Sequence, residues 1–368
     1  MPVRVLTPHA SLTSDSRFGL GLVSPKQDAY SNMTLPQPGV RLLAFDDGGS
    51  RGLAMLLQLR NVMREFQQDA CLRTLPLPCE RFDIIAGSGT GGLIALLLGR
   101  LRFSIDRAIE CYVRVVEHAL MEIKSGGIYK ASSLEKVLKE ICGRYGEGEE
   151  TSLLEQDPIL CKTFVCTREV RAAGNPVLRK LRTYPHPSEP GLTLTVHEAV
   201  RATMGNATFF KPLEVQQGGS YAKFLDAGDD HYNPVFDLYQ EAQILYPARD
   251  VAYLLSLGPG DAATVGENPP RRFVSQMRLP PAHLSMLRHL ADRCDCIAVA
   301  FQSEYGTFDD KYCRLSPSLP VYDRRVLPDK VDALEELVSP YCTNVADKVS
   351  NFVMAMTNER AVRHDTAR

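Results

Sequence analysis

Three features are absent from this sequence: an excess of one charge, a long apolar run, and a metal-binding spacing of cysteines. The 42 basic and 44 acidic residues nearly balance, giving a formal net charge of −2. No global basic field therefore attracts nucleic acid, and nucleic acid is not expected as a partner. Apolar runs such as residues 93–98 are far shorter than the ~20 residues of a membrane span. Any membrane contact is therefore expected to be peripheral.

The ten cysteines show no CxxC or Cys/His spacing that would predict a zinc site, and the nearest pair is Cys294 and Cys296. Scattered cysteines in a long chain are typically reduced and behave as small apolar residues. The N-terminal residues also lack the apolar segment of a cleaved signal peptide. We therefore expect a cytoplasmic protein without a bound metal.

The order of apolar patterns predicts an α/β domain. Hydrophobic residues make up 44% of the 368, enough for a sizeable core. Residues 1–39 are rich in Ser, Pro, Asn and Gln, which predicts a mobile leader. Further on, helical patterns alternate with short strand patterns at residues 41–45, 82–86, 163–166, 224–225 and 252–257. A capping box formed by Thr195 and Glu198 predicts a helix that starts at Val196. This alternation predicts a mainly parallel sheet covered by helices on both faces.

The turn at residues 87–92 (GSGTGG) literally matches the GxGxxG pattern of dinucleotide-binding proteins. Such a site also needs an acidic residue ~20 positions further on, at the end of the next strand. The nearest candidate is Asp106, but it follows Ser104 in a pattern typical of a capped helix start. A nucleotide-binding protein is therefore kept only as a less favoured alternative.

Three segments, taken in order, carry a more specific pattern. Residues 42–52 (LLAFDDGGSRG) end in a glycine-rich turn, and residues 82–92 (FDIIAGSGTGG) combine a strand, a turn and a helix start. Residues 225–228 (LDAG) precede an Asn-Pro-Val at residues 233–235. The three segments resemble the oxyanion loop, the nucleophile elbow and the base segment of patatin-like phospholipases. The resemblance is clear over residues 40–260.

This resemblance implies a three-layer α/β/α fold of patatin type, with residues 261–368 as a mostly helical extension of the same domain. In that family an elbow serine attacks an ester carbonyl, an aspartate is its base, and loop N–H groups stabilise the oxyanion. Asp226 matches the base. The oxyanion loop corresponds to Gly48, Gly49, Ser50, Arg51 and Gly52. For Arg51, an exposed position on a helix is the alternative. The implied ligand is an acyl lipid or lipid-like ester, with no cofactor.

Two positions depart from the family pattern. Gly89 stands where the nucleophilic serine is expected, and Asp47 stands where the loop has its first glycine. Glycine offers no nucleophile, and a carboxylate near an oxyanion hole opposes the developing charge, unless the Asp47 side chain points to solvent. We therefore expect a degenerate member with weak or no hydrolase activity that retains lipid binding. Replacing Gly89 by serine is expected to recover some activity, limited by Asp47.

The main alternative is an active acyl-ester hydrolase or acyltransferase that uses Ser88, or a water molecule activated by Asp226. Neighbouring residues at a strand end point in opposite directions. The Ser88 hydroxyl is therefore expected to face away from Asp226. Isolated histidines such as His118 and His197 are expected to be ordinary surface or core residues rather than catalytic ones.

Overall fold

The computed structural model describes ten stretches of the chain: residues 39–120, 123–124, 126–157, 160–170, 174–186, 193–217, 220–265, 279–305, 311–317 and 331–358. The leader predicted over residues 1–39 lies outside the described residues, apart from Gly39. The three segments that carry the family resemblance are all described.

One eight-stranded mixed sheet forms the centre of the described structure. Its strands are β1 (Val40–Phe45), β2 (Ile84–Ser88), β3 (Lys162–Val170), β4 (Pro176–Arg182), β5 (Leu213–Gln217), β6 (Ser220–Leu225), β7 (Val251–Leu257) and β8 (Tyr312–Leu315). The neighbours β3, β2, β1, β7 and β8 are parallel. At the other edge β4 and β6 pair antiparallel with β3, and β5 pairs antiparallel with β6. The predicted mainly parallel sheet is confirmed.

The helices of the described residues are α1 (Gly52–Asp69), α2 (Pro78–Arg81), α3 (Gly89–Ala95), α4 (Ile105–Ala119), α5 (Ala131–Tyr145), α6 (Val196–Thr203), α7 (Val235–Leu245), α8 (Pro281–Tyr305), α9 (Val331–Asn344) and α10 (Ala346–Thr357). Two helices begin where capping signals predict them. Ser104 accepts the N–H of Arg107 at the start of α4. Thr195 and Glu198 form a capping box at the start of α6. Asp106 therefore lies in a helix and not at a strand end.

The side chains of β1 divide between two cores. Leu43 and Phe45 pack in the core shared with α1, α4 and α6, whereas Leu42 and Ala44 pack in the core shared with α7 and α8. Because successive side chains of a strand point to opposite faces, this alternation places one helical layer on each side of the sheet. The three-layer α/β/α architecture is confirmed.

The C-terminal region adds a strand as well as helices. Residues of β8 pair with β7, for example Cys313 with Leu255. The Phe352 ring of α10 packs edge-on against Tyr253 of β7, with ring centroids 5.7 Å apart. The region predicted as mostly helical therefore completes one edge of the sheet. The strand has only four residues and no sequence pattern that marks it.

The pairing of β1 with β2 determines where the site forms. Phe45 lies beside Gly87, the last pair of this parallel register. Two residues beyond this pair the chain reaches Asp47 on one side and Gly89 on the other. The carboxyl ends of neighbouring parallel strands are where open α/β sheets bind ligands. The two positions that depart from the family pattern are therefore brought together at this edge.

Candidate active site

A pocket opens beyond the carboxyl ends of β1 and β2, with about 440 Å³ of space including its open mouth. Most of its lining is apolar or aromatic: Leu120, Tyr129, Met204, Phe209, Phe210, Leu279 and Leu287. Its polar lining residues are Asp47, Ser50, Thr90 and Asn206, together with Gly49. A concave apolar site with a few converging polar groups is typical of small-ligand binding.

Gly89 is the first residue of α3 and directly follows β2 in the elbow. Its φ angle is +53°, in the left-handed region that glycine adopts without strain. A Cβ atom on Gly89 would lie 2.0 Å from Cγ of Asp47, and 2.1 and 2.3 Å from its two carboxylate oxygens. The Asp47 carboxylate therefore fills the space that a side chain at position 89 would need.

The Asp47 carboxylate is bound by the groups that surround it. Its Oδ1 atom accepts from the Thr90 N–H at 3.1 Å, the Thr90 hydroxyl at 3.2 Å and the Gly49 N–H at 3.5 Å. The Gly48 N–H donates to the Thr90 hydroxyl oxygen at 3.2 Å. The N–H groups of Gly48 and Gly49 in the glycine loop are thus already engaged by the protein's own groups.

Asp47 is only 5% exposed. Burial raises the pKa of its carboxyl group to about 6; hydrogen bonds from Thr90 lower the pKa, and the charge of Asp226 raises it. Within the described stretches, no ion pair to Asp47 and no hydrogen bond to its Oδ2 atom is found. The alternative that this side chain points to solvent is wrong, because burial and the pocket lining hold it inside.

Asp226 follows β6 directly and is 4% exposed. Its Oδ1 atom accepts from Arg168 Nη2 at 2.6 Å, and its Oδ2 atom accepts from Asn206 Nδ2 and the Tyr232 hydroxyl, both at 2.7 Å. Burial and the Asp226 charge together raise the pKa of the Tyr232 phenol above its usual range. Asp226 is therefore held as a compensated carboxylate with both oxygens occupied.

Ser88 is the last residue of β2 and is fully buried. Its hydroxyl donates to the carbonyl oxygen of His231 at 2.5 Å. In the part of the chain that the structure describes, Ser88 neither lines the pocket nor forms a hydrogen bond with Asp226. The Ser88 proton is thus directed to a backbone carbonyl and not to a base.

The residues predicted as the oxyanion loop have different roles in space. Gly49 and Ser50 line the pocket, and the 3₁₀ turn Gly49–Arg51 leads into α1. Gly52 begins that helix, where an added Cβ would lie 2.2 Å from the Tyr112 hydroxyl. Of the five predicted residues, therefore, two reach the pocket and Gly52 allows close helix packing.

The Arg51 guanidinium points away from the pocket. It donates to the carbonyl oxygens of Asp261 at 2.9 Å and Leu287 at 3.4 Å, and the residue is 2% exposed. Burial lowers the pKa of this guanidinium to about 10. The alternative of an exposed helix charge is therefore wrong. Arg51 instead connects the loop to the segments around α8.

Several residues of the site carry no local sequence signal. Tyr129 and Leu287 come from distant elements, and the Tyr129 ring stacks on Phe209 with centroids 6.2 Å apart. Arg168 and Asn206 hold Asp226 from β3 and from the segment after α6. Only the fold brings these side chains together, so no motif search on one sequence identifies them.

The histidines singled out in the sequence occupy ordinary positions. His118 is exposed on α4. His197 is buried in α6, with its Nε2 atom 2.9 Å from Oε2 of Glu150. Neither lines the pocket. The described stretches contain no cluster of His, Cys, Asp and Glu that could hold a metal ion. The same stretches contain no helix with the length and apolar character that crossing a membrane requires.

Comparisons with known proteins agree with this geometry. The family model described as "Patatin-like phospholipase" matches residues 43–237. The chain is similar to "Calcium-independent phospholipase A2-gamma" of Oryctolagus cuniculus, at 23% identity over 347 residues, which cover 88% of this chain and 40% of that protein. It is similar to "Phospholipase A I" of Arabidopsis thaliana, at 24% identity over 329 residues, covering 71% of this chain and 24% of that protein.

A third relative carries a different description. "Probable inactive patatin-like protein 9" of Arabidopsis thaliana is 26% identical over 259 residues, which cover 63% of each chain. In contrast, the chain spans only about two fifths of the length of the phospholipase A2-gamma of Oryctolagus cuniculus. The matched residues contain the glycine loop, the elbow and Asp226, in the order and at the strand ends described above. The chain therefore belongs to the patatin-like phospholipase family.

Proposed function

We propose that this protein is a degenerate patatin-like phospholipase that has lost ester hydrolysis and retains the binding of an acyl lipid or lipid-like ester in its pocket. One observation carries the proposal: the Asp47 carboxylate occupies the space of the side chain at position 89. The apolar lining of the pocket supports the retained binding of an aliphatic chain. The family supplies the lipid class of the ligand.

The arrangement opposes ester hydrolysis in two ways. Gly89 provides no nucleophile, and in a serine hydrolase of another fold the loss of the nucleophile lowers turnover by about 10⁶. The Gly49 and Thr90 N–H groups point at Asp47, so they are not available to a tetrahedral oxyanion. Within this low-dielectric site the buried carboxylate would also repel the developing negative charge.

Other observations weigh against the alternatives. An acyl hydrolase or acyltransferase that uses Ser88 needs a base within hydrogen-bond reach, but that hydroxyl is bonded to the His231 carbonyl. A water molecule activated by Asp226 would compete with the three donors that already bind its two oxygens. A nucleotide phosphate at residues 87–92 would meet the Asp47 carboxylate, and the Gly89 N–H already donates to Thr203.

We also propose where the protein is located in the cell and how it contacts membranes. Each of the ten cysteines lies in a described stretch and none forms a disulfide, which is compatible with the reducing cytoplasm that we propose. Contact with membranes, where the lipid is acquired, would be peripheral.

The direct test is the hydrolysis of a short-chain aryl ester and of a phospholipid vesicle. We expect the wild-type rate to equal that of Asp226→Ala, since neither protein offers an activated nucleophile. An active patatin-like hydrolase confirms the assay, and Ser88→Ala reports any contribution of that hydroxyl. A wild-type rate well above that of Asp226→Ala would overturn the proposal. If the rate also fell in Ser88→Ala, the activity would be assigned to Ser88.

A further inference from the structure

The pocket presents one negatively charged group without a described counter-charge. Asp47 is 5% exposed, its Oδ1 atom accepts three hydrogen bonds, and its Oδ2 atom has none from the described residues. A buried carboxylate is stable when a donor or cation binds it, and costly when it is left alone. This oxygen therefore marks a position where a ligand would supply the missing donor.

The surroundings define the charge of that ligand. Asp47 would repel a carboxylate ligand, and the charge of Asp226, which raises the pKa of Asp47 in spite of its ion pair with Arg168, adds to this repulsion. An ester carbonyl beside Asp47 would need N–H donors, and those of Gly49 and Thr90 are engaged by Asp47, so any ester group of the ligand would lie away from this end of the pocket. A cationic group that also donates hydrogen bonds meets neither obstacle.

The lining defines what is attached to the cation. Leu279, Leu287 and Met204 are among the apolar residues that line the same pocket as Asp47. Apolar atoms next to the cation fit this lining best, because a phosphate there would be repelled by the buried Asp47 carboxylate and would meet no described cationic lining residue. An ammonium group bonded directly to an aliphatic chain satisfies this condition.

We propose that the pocket binds a single-chain amphiphile with a primary ammonium group, and that the ammonium donates to Oδ2 of Asp47 while the chain lies along the apolar lining. This inference rests on the proposed function, since it requires an intact lipid pocket without ester chemistry. It specifies the head group, which the family relationship alone leaves open.

The test is calorimetric titration of the full chain with decylammonium, 1-decanol and decanoate at pH 8, below their aggregation concentrations. We expect decylammonium to bind at least about tenfold more tightly than decanol, and decanoate to bind most weakly. The variant Asp47→Asn keeps the shape of the side chain. It should remove the preference for decylammonium without weakening the binding of decanol. Asp230→Asn makes the same change of charge at a side chain that is 82% exposed, and it should leave all three affinities unchanged.

Chain length provides a second readout that does not depend on any variant. Each buried methylene should increase the affinity about fourfold, so decylammonium should bind far more tightly than butylammonium. Equal affinity of these two amines would contradict the binding of an amphiphile. It would indicate instead that the pocket recognises a short cationic side chain. The pocket-filling variant Met204→Trp should weaken decylammonium and decanol together.

The outcomes separate the inference from the proposed function. If decanol or decanoate binds as tightly as decylammonium, the ammonium preference is wrong and lipid binding stands. If Asp47→Asn binds decylammonium as well as the wild type does, the assignment of Asp47 is wrong. If none of the ligands binds, the retained lipid pocket is wrong and the inference fails with it. Ester turnover by the wild type would overturn only the loss of hydrolysis.

Discussion

The two ends of the paired strands β1 and β2 hold buried carboxylates in opposite situations. At the amino end, Asp83 binds Arg41 through Nη2 at 2.8 Å and through the backbone N–H at 2.9 Å, and Arg249 lies 3.4 Å away. At the carboxyl end, Asp47 is also buried but has only neutral donors among the described residues. The first end is organised for stability, whereas the second retains the Asp47 charge, for which the described residues provide no counter-charge.

This difference indicates that Asp47, and not Asp83, is the buried carboxylate with a functional role. A fold that pairs Asp83 with two arginines could stabilise Asp47 in the same way. Among the described residues, however, the arginines near this end pair with other carboxylates, Arg314 with Asp46 and Arg168 with Asp226, and none pairs with Asp47. Strongly perturbed carboxyl groups in pockets are typical of functional sites. Substitutions at the two ends should therefore differ in both the sign and the size of their effects.

The largest effect is expected at the paired end. Asp83→Asn removes the charge that compensates Arg41, a residue 1% exposed, and should destabilise the protein by about 3–5 kcal/mol. Urea unfolding at pH 7 measures this loss, with the exposed Asp230→Asn as the control. A loss below about 1 kcal/mol would mean that the two ends do not differ in the way described.

At the uncompensated end the effect should have the opposite sign and depend on pH. The pKa of folded Asp47 is raised from 3.8 to about 6, so its protonation stabilises the fold below pH 3.8, and this contribution is lost as the pH rises through 6. Asp47→Asn should therefore gain about 3 kcal/mol relative to the wild type between pH 3.5 and pH 8. Unfolding curves of both proteins across this range measure the gain. A difference that is independent of pH would show that Asp47 titrates normally.

A third prediction concerns the shared space of positions 47 and 89. Gly89→Ser places a side chain at φ +53° and against the Asp47 carboxylate, and both effects should destabilise. Adding Asp47→Gly removes the overlap, so the pair should show a coupling energy of about 2 kcal/mol. A double-mutant cycle of unfolding free energies measures it. Simple additivity of the two changes would place the Asp47 side chain elsewhere.

The smallest effect is expected at Ser88. Ser88→Ala removes a hydrogen bond to the His231 carbonyl and should cost about 1 kcal/mol of stability. Binding of aliphatic ligands should be unchanged, because Ser88 does not line the pocket. Loss of ligand binding in a folded Ser88→Ala protein would contradict the separation of this residue from the site.

The sequence predicts most of the framework, because its signals are local. Apolar strand patterns locate β1, β2, β3 and β7, capping residues locate the starts of α4 and α6, and the glycine turns mark the strand ends. The short strand β8 and the antiparallel strands β4 and β5 were not predicted, since their pairing depends on partners that are distant in sequence. The family itself follows from three ordered motifs, each of which spans a few residues.

The candidate site is less predictable, because its key property is a contact. The sequence shows two departures from the family pattern, at Asp47 and Gly89, and gives no sign that the two residues are in contact. The pairing of Phe45 with Gly87 makes them neighbours, and the structure shows that one carboxylate occupies the other's side-chain space. The expectation that Gly89→Ser alone recovers some activity is therefore revised, because a serine there requires the Asp47 carboxylate to leave its position and its hydrogen bonds.

The most direct test of the central claim is labelling by a fluorophosphonate, which reacts only with an activated serine. The wild type, Gly89→Ser, and Gly89→Ser combined with Asp47→Gly are compared, with thermal melts to confirm folding. If the Asp47 carboxylate takes the place of the nucleophile, only the double variant should be labelled, at position 89. Labelling of the wild type, or equal labelling of the single and double variants, would contradict the account.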